Sequence, residues 1–449
     1  MSQSLGSVHP PVYRRSSATE ITEHRFEGDL FERKELAQRL TDLLLRLPDG
    51  AVLSIDSAWG EGKTWFGRRW HKSLQDDGFR TAFIDCFQRD HLDDPFAMLA
   101  GELLELAKVD EAPSRRKLLD AGKRIGAALV PAATKLAVSA FGRWALGKAN
   151  LGATIGQDIT DALTDTEAGL ETLVAKSLED YEADKQTVDA FKSALADLAK
   201  EADKPIVIFL DELDRCRPDF AVRTIERIKH FFDVPGVIFV LLLNRSQLVA
   251  AIKGLYGVDL NAEAYLAKFI QLSLSLPKRL SLDGRGRDDN RRHCEVELAR
   301  YGFSGQPAVA FATMCGMFGS LLGMSLRDME RAVVLFSFGQ PLRDAASLAA
   351  WPIALKVSKP ELFKRLLANE RAAHDEAKIL ATSFIERSPR GTTWVIEFFE
   401  QLHECGSKDF TEPIGQEAEA ILLSQGVTWR DPKRYISWLF NRFDLSVSQ

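Results

Sequence analysis

The sequence predicts an α/β protein built on a parallel sheet that helices cover on both faces. Four apolar segments, at 51–56, 80–86, 205–212 and 236–243, predict strands, and the segment 268–276 predicts a fifth. Strands that are apolar along most of their length are typical of parallel sheets in which neither face meets water. Stretches with helical spacing of apolar residues lie between the strands, and parallel sheets need such crossover connections.

Helical spacing of apolar residues predicts the elements that cover this sheet. The pattern occurs over Glu35–Arg46, after Glu61, from Pro95 and over Asp219–Phe232. Beyond the fifth strand, the charged residues 283–293 predict an exposed and flexible loop. From Glu295 to the last residue the pattern is helical again, so we expect a helical region after the sheet.

The composition is that of an ordinary globular protein. Of 449 residues, 45% are hydrophobic and 27% are charged, which excludes a mostly disordered or collagen-like chain. The net charge of −6 argues against a protein that coats DNA with its whole surface. Five scattered cysteines without a CxxC pair indicate a reducing compartment. The first residues lack the apolar stretch of a signal peptide, so we expect a cytoplasmic protein.

The most specific pattern is the sequence SAWGEGKT, which follows the first predicted strand and begins a helix. Gly60 and Gly62 let backbone N–H groups approach phosphate oxygens closely, as in a P-loop. Lys63 is expected to contact the β- and γ-phosphates, and the hydroxyl of Thr64 to bind Mg²⁺. Ser57 stands where the motif usually has glycine. The predicted nucleotide-binding residues are Ser57, Ala58, Trp59, Gly60, Glu61, Gly62, Lys63, Thr64 and Trp65.

A second motif ends the third predicted strand, at the edge where open α/β sheets bind ligands. The apolar run IVIFL is followed by Asp211 and Glu212. We predict that Asp211 holds Mg²⁺, directly or through water, and that Glu212 orients and deprotonates the attacking water. The alternative is an acid pair that caps a helix or forms salt bridges.

The fourth predicted strand ends at Asn244. An amide at this position could contact the γ-phosphate or the attacking water, and we include Asn244 among the candidate catalytic residues. Capping of the next helix is an equally good interpretation. The sequence after this strand contains no Asn-Lys-x-Asp element, which favours ATP over GTP as the nucleotide.

Several motifs together resemble the KAP P-loop NTPases. They are SAWGEGKT (57–64), FLDELDRC (209–216), IERIKHFFD (225–233), AYLAKFIQ (264–271), the Leu-Pro pair at 276–277 and SLRDMER (325–331). The tryptophan before Gly-x-Gly-Lys and the Leu-Asp-Arg-Cys sequence are more specific than a general P-loop. The resemblance implies an AAA-like P-loop ATPase with strand order 5-1-4-3-2 and a helical lid. Many bacterial members of the family lie in mobile or phage-defence loci, so the resemblance also implies a setting in phage defence.

The resemblance implies roles for residues outside the two main motifs. Arg327 would be a lid arginine that contacts the γ-phosphate, although its charged surroundings are also typical of a solvated helix face. Arg215 would act as an arginine finger or a switch contact. Asp29 and Phe31 fall where related ATPases contact adenine, and ordinary helix capping is the alternative for Asp29.

These patterns divide the chain into four parts. They are a flexible N-terminal arm at 1–25, a P-loop NTPase core at 26–278 with a helical insertion at about 108–200, a helical lid at 279–345 and a C-terminal helical region at 346–449. In the family, the insertion often carries transmembrane helices. Lys135 and Arg143 interrupt its apolar segment 125–147, and its longest uncharged run is about half of the roughly 20 residues that a span needs. We predict a buried or interfacial helical segment, with membrane contact as the alternative.

The function that these observations favour is an ATP-driven switch that uses Mg²⁺ and acts on a protein partner or through self-association. A motor or loader that acts on nucleic acid is the first alternative. It would use the basic residues Arg115, Arg116, Lys117, Arg285, Arg287, Arg291, Arg292 and His293. A scaffold that binds nucleotide without hydrolysing it is the second alternative, and Ser57 in the phosphate loop is the feature that supports it.

Overall fold

The computed structural model describes residues 26–91, 95–108, 189–229, 234–280, 288–339, 346–385, 393–407 and 432–444. The predicted N-terminal arm and most of the predicted insertion, including 125–147, lie outside these residues. The same holds for five of the basic residues named above, Arg115, Arg116, Lys117, Arg285 and Arg287. Within the described part of the chain, none of the helices has both the length and the apolar character needed to cross a membrane.

Five parallel strands form one sheet. They are β1 (Ala51–Asp56), β2 (Thr81–Asp85), β3 (Ile206–Asp211), β4 (Val237–Leu243) and β5 (Leu272–Ser275). Their spatial order is β2-β3-β4-β1-β5, so the predicted order 5-1-4-3-2 is confirmed. Strand β4 pairs with β1 on one side and with β3 on the other. The two nucleotide motifs follow β1 and β3, which lie on either side of β4. Because all three strands are parallel, both motifs lie at the same end of the sheet.

Short helices connect and cover these strands. They are α1 (Arg33–Leu44), α2 (Lys63–Asp76), α3 (Cys86–Arg89), α4 (Pro95–Lys108), α5 (Pro218–Lys229), α6 (Arg245–Tyr256) and α7 (Ala262–Leu266). A single 3₁₀ turn, Leu213–Arg215, follows β3. The predicted helix over Asp219–Phe232 thus begins at Pro218, and the structure describes it as far as Lys229.

Each face of the sheet buries its own apolar cluster. On one face, α1 and α2 pack against alternate strand residues, and the fully buried ring of Trp70 meets Phe209 edge to face with centroids 5.2 Å apart. On the other face, α4, α5 and α6 cover the residues in between, such as Ile208 and Leu210. Burial of one such side chain contributes about 1.5–3 kcal/mol, which explains why both faces are apolar.

In the described part of the chain, eight further helices follow the sheet. They are α8 (Asp289–Arg300), α9 (Gly305–Leu322), α10 (Leu326–Phe338), α11 (Ala346–Ser358), α12 (Pro360–Leu367), α13 (Arg371–Ile385), α14 (Thr393–Ser407) and α15 (Pro432–Asn441). One apolar cluster runs through all of them, with the ring of Trp351 between Phe318 and Phe399 at 5.0 and 5.6 Å. The predicted lid and the predicted C-terminal region therefore share a core, and their boundary at 345 stays a prediction.

The expectation of an exposed loop at 283–293 is wrong for its second half. Helix α8 begins at Asp289, and the carboxylate of Asp288 accepts the backbone N–H of Arg291 at 2.8 Å as an N-cap. Asp289 and Asn290 are buried. The Asp289 carboxylate accepts the backbone N–H of Arg279 at 2.7 Å. This tertiary contact lets a charged residue lie inside, where the local sequence indicates solvent.

Candidate functional site

The phosphate loop joins β1 to α2 and depends on two glycines in left-handed conformations. The φ angle is 84° at Gly60 and 81° at Gly62. A methyl group at Gly60 would lie 2.8 Å from the Cβ of Arg327 and from the hydroxyl of Ser325, and one at Gly62 would lie 2.6 Å from a guanidinium nitrogen of Arg33. Both conformation and space therefore require glycine.

Lys63 is the first residue of α2, and its side chain turns back into the loop. Its ammonium group donates to the carbonyl oxygens of Ser57 at 2.5 Å and Ala58 at 3.1 Å. Burial lowers the pKa of Lys63 from its ordinary value. The hydroxyl of Ser57 is buried nearby and makes no hydrogen bond to the described residues. Two loop carbonyls thus accept hydrogen bonds from the ammonium group.

The two residues predicted to bind Mg²⁺ meet in the structure. The hydroxyl of Thr64 lies close enough to the carboxylate of Asp211 to stabilise its charge, and that carboxylate also accepts the backbone N–H of Glu212 at 3.0 Å. Burial raises the pKa of Asp211 to about 7, against the opposing effect of the hydrogen bond from Thr64. A carboxylate and a hydroxyl oxygen thus lie together under the phosphate loop, in a partly desolvated position.

Glu212 occupies a strained backbone conformation and forms an ion pair. Its φ of 60° is uncommon for a residue with a side chain, and such strain concentrates at functional sites. Its carboxylate lies 2.8 Å from a guanidinium nitrogen of Arg215. Burial raises the pKa of Glu212, and Arg215 opposes that shift. The salt-bridged arrangement considered as an alternative is thus present, and Arg215 engages the acid of its own chain.

The indole of Trp59 ties the phosphate loop to the turn after β3. Its N–H donates to the carboxylate of Asp214, which lies in the 3₁₀ turn. The residue is 43% exposed, so the ring stands at the surface rather than in the core. Because Asp214 is close to Glu212 in sequence, this hydrogen bond connects the two nucleotide motifs directly.

Asn244 lies at the N-cap position of α6, but its side chain makes no capping hydrogen bond. Its amide oxygen instead accepts the hydroxyl of Ser246 at 2.7 Å. The neighbouring backbone N–H, that of Arg245, donates to the carboxylate of Asp56 at 2.8 Å. The structure therefore places Asn244 at the sheet edge that carries the phosphate loop.

The first turn of α10 rests on the phosphate loop. The backbone N–H of Arg327 donates to the carbonyl oxygen of Gly60 at 3.3 Å, while its side chain is exposed and close enough to Glu212 to affect that carboxylate electrostatically. Ser325 and Asp328 form a capping box that fixes the start of the helix. The structure thus brings the predicted lid arginine to the nucleotide motifs.

Arg33 is a residue of this site that the sequence reasoning missed. Its guanidinium group donates to the carbonyl oxygens of Glu61 at 2.7 Å and Gly62 at 3.3 Å. The side chain is 3% exposed, and burial lowers its pKa to about 10. It also lies over the ring of Phe31, 4.9 Å from the centroid. In the sequence it sits within Glu-Arg-Lys-Glu, which is typical of a solvated helix start.

Asp29 lies just before α1, whose N-cap residue is Glu32. Its carboxylate accepts the backbone N–H of Phe31 at 3.1 Å and that of Lys34, in the first turn of α1, at 2.8 Å. The ring of Phe31 lies 6.2 Å from the ring of His293. Adenine contact by Asp29 and Phe31 stays a prediction.

The described basic residues of the predicted loop do not form one exposed patch. Arg291, Arg292 and His293 lie in α8, and the guanidinium group of Arg291 pairs with Glu295 at 2.8 Å. The side chain of His293 is only 11% exposed and faces Glu330. Arg291 and His293 therefore provide little free positive charge for a phosphate backbone, whereas the side chain of Arg292 is exposed.

Comparisons with known proteins agree with the motifs. The family described as the KAP family P-loop domain matches residues 33–287. No curated protein matches this sequence. Among solved structures, the ORC2 protein of Aeropyrum pernix in ADPNP–ADP complexes is 12% identical over 94% of this chain and 96% of that one, with a TM-score of 0.36. A DNA replication initiation factor is 12% identical over 91% and 92%, with a TM-score of 0.31. Similarity at this level says nothing about ligands or partners.

Proposed function

The chain belongs to the KAP family of P-loop NTPases, and from this membership we propose that it binds and hydrolyses ATP as a nucleotide-dependent switch. The observation that carries the proposal is the contact between the Thr64 hydroxyl and the Asp211 carboxylate beside the phosphate loop. It joins the two motifs that P-loop ATPases need, one for the phosphates and one for the metal ion.

The residues present fit ATP and Mg²⁺. Gly60 and Gly62 leave the loop backbone free of side chains, and α2 directs its N-terminal N–H groups toward the same space. The oxygens of Thr64 and Asp211 are hard ligands of the kind that Mg²⁺ prefers. When bound, Mg²⁺ neutralises negative charge on the phosphate oxygens. The proposed nucleotide-binding residues remain those at 57–65.

Lys63 is proposed to bind the β- and γ-phosphates. Its ammonium group already lies in the loop, so nucleotide binding exchanges the carbonyls of Ser57 and Ala58 for phosphate oxygens. The charge-assisted bonds to phosphate are stronger than those to neutral carbonyls, which favours the exchange. The buried hydroxyl of Ser57 can donate to the same oxygens, so serine supports binding at a position where glycine is usual.

Glu212 is proposed to orient the attacking water and accept its proton. Burial raises the pKa of this carboxylate, which makes it a better base, and the ion pair with Arg215 fixes its direction. Asn244 is proposed to help position the water from the end of β4. For that role its amide oxygen must release the hydroxyl of Ser246.

The switch is proposed to act through α10. The backbone of Arg327 contacts Gly60, and its exposed side chain is free to reach toward a γ-phosphate in the same loop. Helix α10 shares its apolar core with the C-terminal helices. A change in its position therefore reaches a surface distant from the nucleotide, where we propose a protein partner or a second copy of the chain.

The test is the ATPase rate of the purified full chain with Mg²⁺, compared with three variants. Glu212→Gln is expected to lower turnover about 100-fold or more while ATP still binds, because the base is lost. Lys63→Ala is expected to lose ATP binding, and Asp211→Ala to lose Mg²⁺-dependent hydrolysis. Glu361→Gln, whose side chain is 80% exposed, is the matched control and should retain the wild-type rate. Normal ATP binding by Lys63→Ala would contradict the assignment of the site.

The same assay separates the two alternatives. A nucleic-acid ATPase should turn over faster when DNA is added, with an effect that salt weakens. A non-hydrolysing scaffold should bind ATP with no turnover, and Glu212→Gln should change nothing. The phage-defence setting stays a prediction from the family.

A further inference from the structure

Three side chains with metal-binding atoms meet where α8 packs against α10. They are His293 and Glu297 of α8 and Glu330 of α10, and one ligand atom from each lies within 4.8 Å of the others. The spacing of four residues between His293 and Glu297 places both on one face of α8. His293 Nε2 and Glu330 Oε1 lie 3.4 Å apart.

The imidazole of His293 lacks the hydrogen bonds that a buried histidine normally has. Both ring nitrogens are shielded from solvent, and neither makes a hydrogen bond to the described residues. Buried polar atoms are almost always satisfied, so this shielded ring calls for an explanation, and a bound ion is one. Its Nε2 faces the carboxylate of Glu330 at 3.4 Å without forming a hydrogen bond and therefore points into the cluster.

The two carboxylates give the cluster negative charge in a poorly solvated position. The side chain of Glu297 is 9% exposed and lies beside the carboxylate of Glu330. Arg300 pairs with Glu297, but its own side chain is 68% exposed and therefore approaches from the solvent side. A cation between the carboxylates would remove the cost of placing them together.

We propose that His293, Glu297 and Glu330 form a binding site for a divalent transition-metal ion of the Zn²⁺ type. One imidazole and two carboxylates suit such an ion, whereas Mg²⁺ and Ca²⁺ prefer oxygen ligands throughout. Ligand atoms about 2.0 Å from a tetrahedral ion lie about 3.3 Å apart, close to the separation of His293 Nε2 and Glu330 Oε1. The three ligand atoms lie within 4.8 Å of one another, so Glu297 would have to approach the ion by a side-chain rotation, and water would take the fourth position.

The ion would link α8 to α10 through Glu330, which lies one helical turn after Arg327 in α10. The ring of His293 also contacts Phe31, whose neighbour Arg33 holds the phosphate loop. The site is distinct from the proposed ATPase centre, since none of its ligands belongs to the nucleotide motifs. Its role is to fix the helix that rests on the phosphate loop, and its existence does not depend on ATP hydrolysis.

The test is calorimetric titration of Zn²⁺ into the full chain after removal of metal by a chelator, with excess Mg²⁺ present to occupy the site at Asp211. The variants are His293→Gln and Glu330→Gln, and circular dichroism confirms that each is folded. His91→Gln is the matched control, because His91 is an exposed histidine outside the cluster.

The wild-type chain and His91→Gln should bind one more tight equivalent of Zn²⁺ than His293→Gln. We expect the loss of this ligand to weaken Zn²⁺ binding by about 100-fold. Even the loss of a residue that only orients a metal ligand can weaken binding by that factor. Glu330→Gln is expected to show the same loss of Zn²⁺ binding. Because the side chain of Glu330 is partly exposed, this substitution should not unfold the protein. An equal number of tight sites in the wild type and in both cluster variants would overturn the proposal, as would preference for Mg²⁺ over Zn²⁺ at this site.

Discussion

The ammonium nitrogen of Lys278 lies 2.8 Å from a carboxylate oxygen of Glu61. The same group donates to the carbonyl oxygen of Met324 at 2.8 Å. Lys278 follows β5, Glu61 belongs to the phosphate loop, and Met324 precedes α10, so one amino group joins three separate segments. The side chains of the ion pair are 18% and 12% exposed, and their attraction is therefore stronger than that of a surface pair.

Replacement of Lys278 by methionine should destabilise the protein and loosen the contact between loop and lid. The free energy of unfolding is expected to fall by about 1–3 kcal/mol, because the largely buried carboxylate of Glu61 loses its partner. Urea denaturation measures this change. Lys364→Met is the control, since Lys364 pairs with Glu361 while 69% exposed, and such pairs contribute about 0–1 kcal/mol. An equal fall in the free energy of unfolding in the two variants would show that the Lys278–Glu61 pair contributes no more to stability than an exposed pair does.

Replacement of Arg33 by lysine should weaken ATP binding although the positive charge is kept. The guanidinium group donates to two consecutive carbonyls of the phosphate loop, and an ammonium group on a flexible stem does not reproduce this fork. Loss of one such bond corresponds to about 1 kcal/mol, or roughly fivefold in affinity. Calorimetric titration with Mg·ATP measures it. Arg46→Lys, at an exposed position two residues after the end of α1, should bind ATP as the wild type does.

The strands and the two nucleotide motifs were predictable because their signals are local, whereas the strand order was implied by the resemblance to the KAP P-loop NTPases. An apolar run of strand length needs only its own residues to be recognised, and the glycines of the phosphate loop specify their own backbone. The contact between Thr64 and Asp211 then follows from placing two motifs at one edge of a parallel sheet. These parts of the fold depend little on which distant segments pack together.

The residues that secure the loop were not predictable, because their partners are remote in sequence. Arg33 reaches a carbonyl 28 residues away, and Lys278 reaches a carboxylate 217 residues away. In sequence, each looks like an ordinary charged residue of the surface. Asp289 was misjudged for the same reason, since the backbone N–H of Arg279 satisfies it only in the folded chain. A charged residue can be buried when the tertiary structure supplies its partner, and the local sequence does not reveal that partner.

Substitution of Gly60 by alanine should separate α10 from the phosphate loop. The added methyl group would lie 2.8 Å from both Arg327 Cβ and Ser325 Oγ, closer than van der Waals contact permits. We expect ATP affinity and thermal stability both to fall. Gly78→Ala is the control for backbone strain, because Gly78 has a φ of 81° but its nearest neighbour lies 4.0 Å away. If both variants bind ATP equally well, the contact of α10 with the loop has no part in binding.

A chain of hydrogen bonds lies buried among the C-terminal helices. The indole N–H of Trp351 donates to Nε2 of His403 at 2.9 Å, and the two Nδ1 atoms of His403 and His374 lie 3.1 Å apart. Nε2 of His374 lies 3.0 Å from the side-chain oxygen of Asn369. One pair of neutral tautomers satisfies every contact: His403 donates through Nδ1 to His374, and His374 donates through Nε2 to Asn369.

The network should make stability depend on pH through His403. Burial lowers the pKa of His403 to about 3, with a further contribution from His374, so the folded protein binds this proton far less readily than the unfolded chain. The free energy of unfolding should therefore decline as pH falls from about 6.5 toward 3, by up to about 1.4 kcal/mol per pH unit from this residue. Urea denaturation at several pH values should show a smaller decline in His403→Gln, which cannot titrate, and an unchanged one in the exposed control His91→Gln. Identical slopes for His403→Gln and the wild type would mean that other groups cause the acid sensitivity.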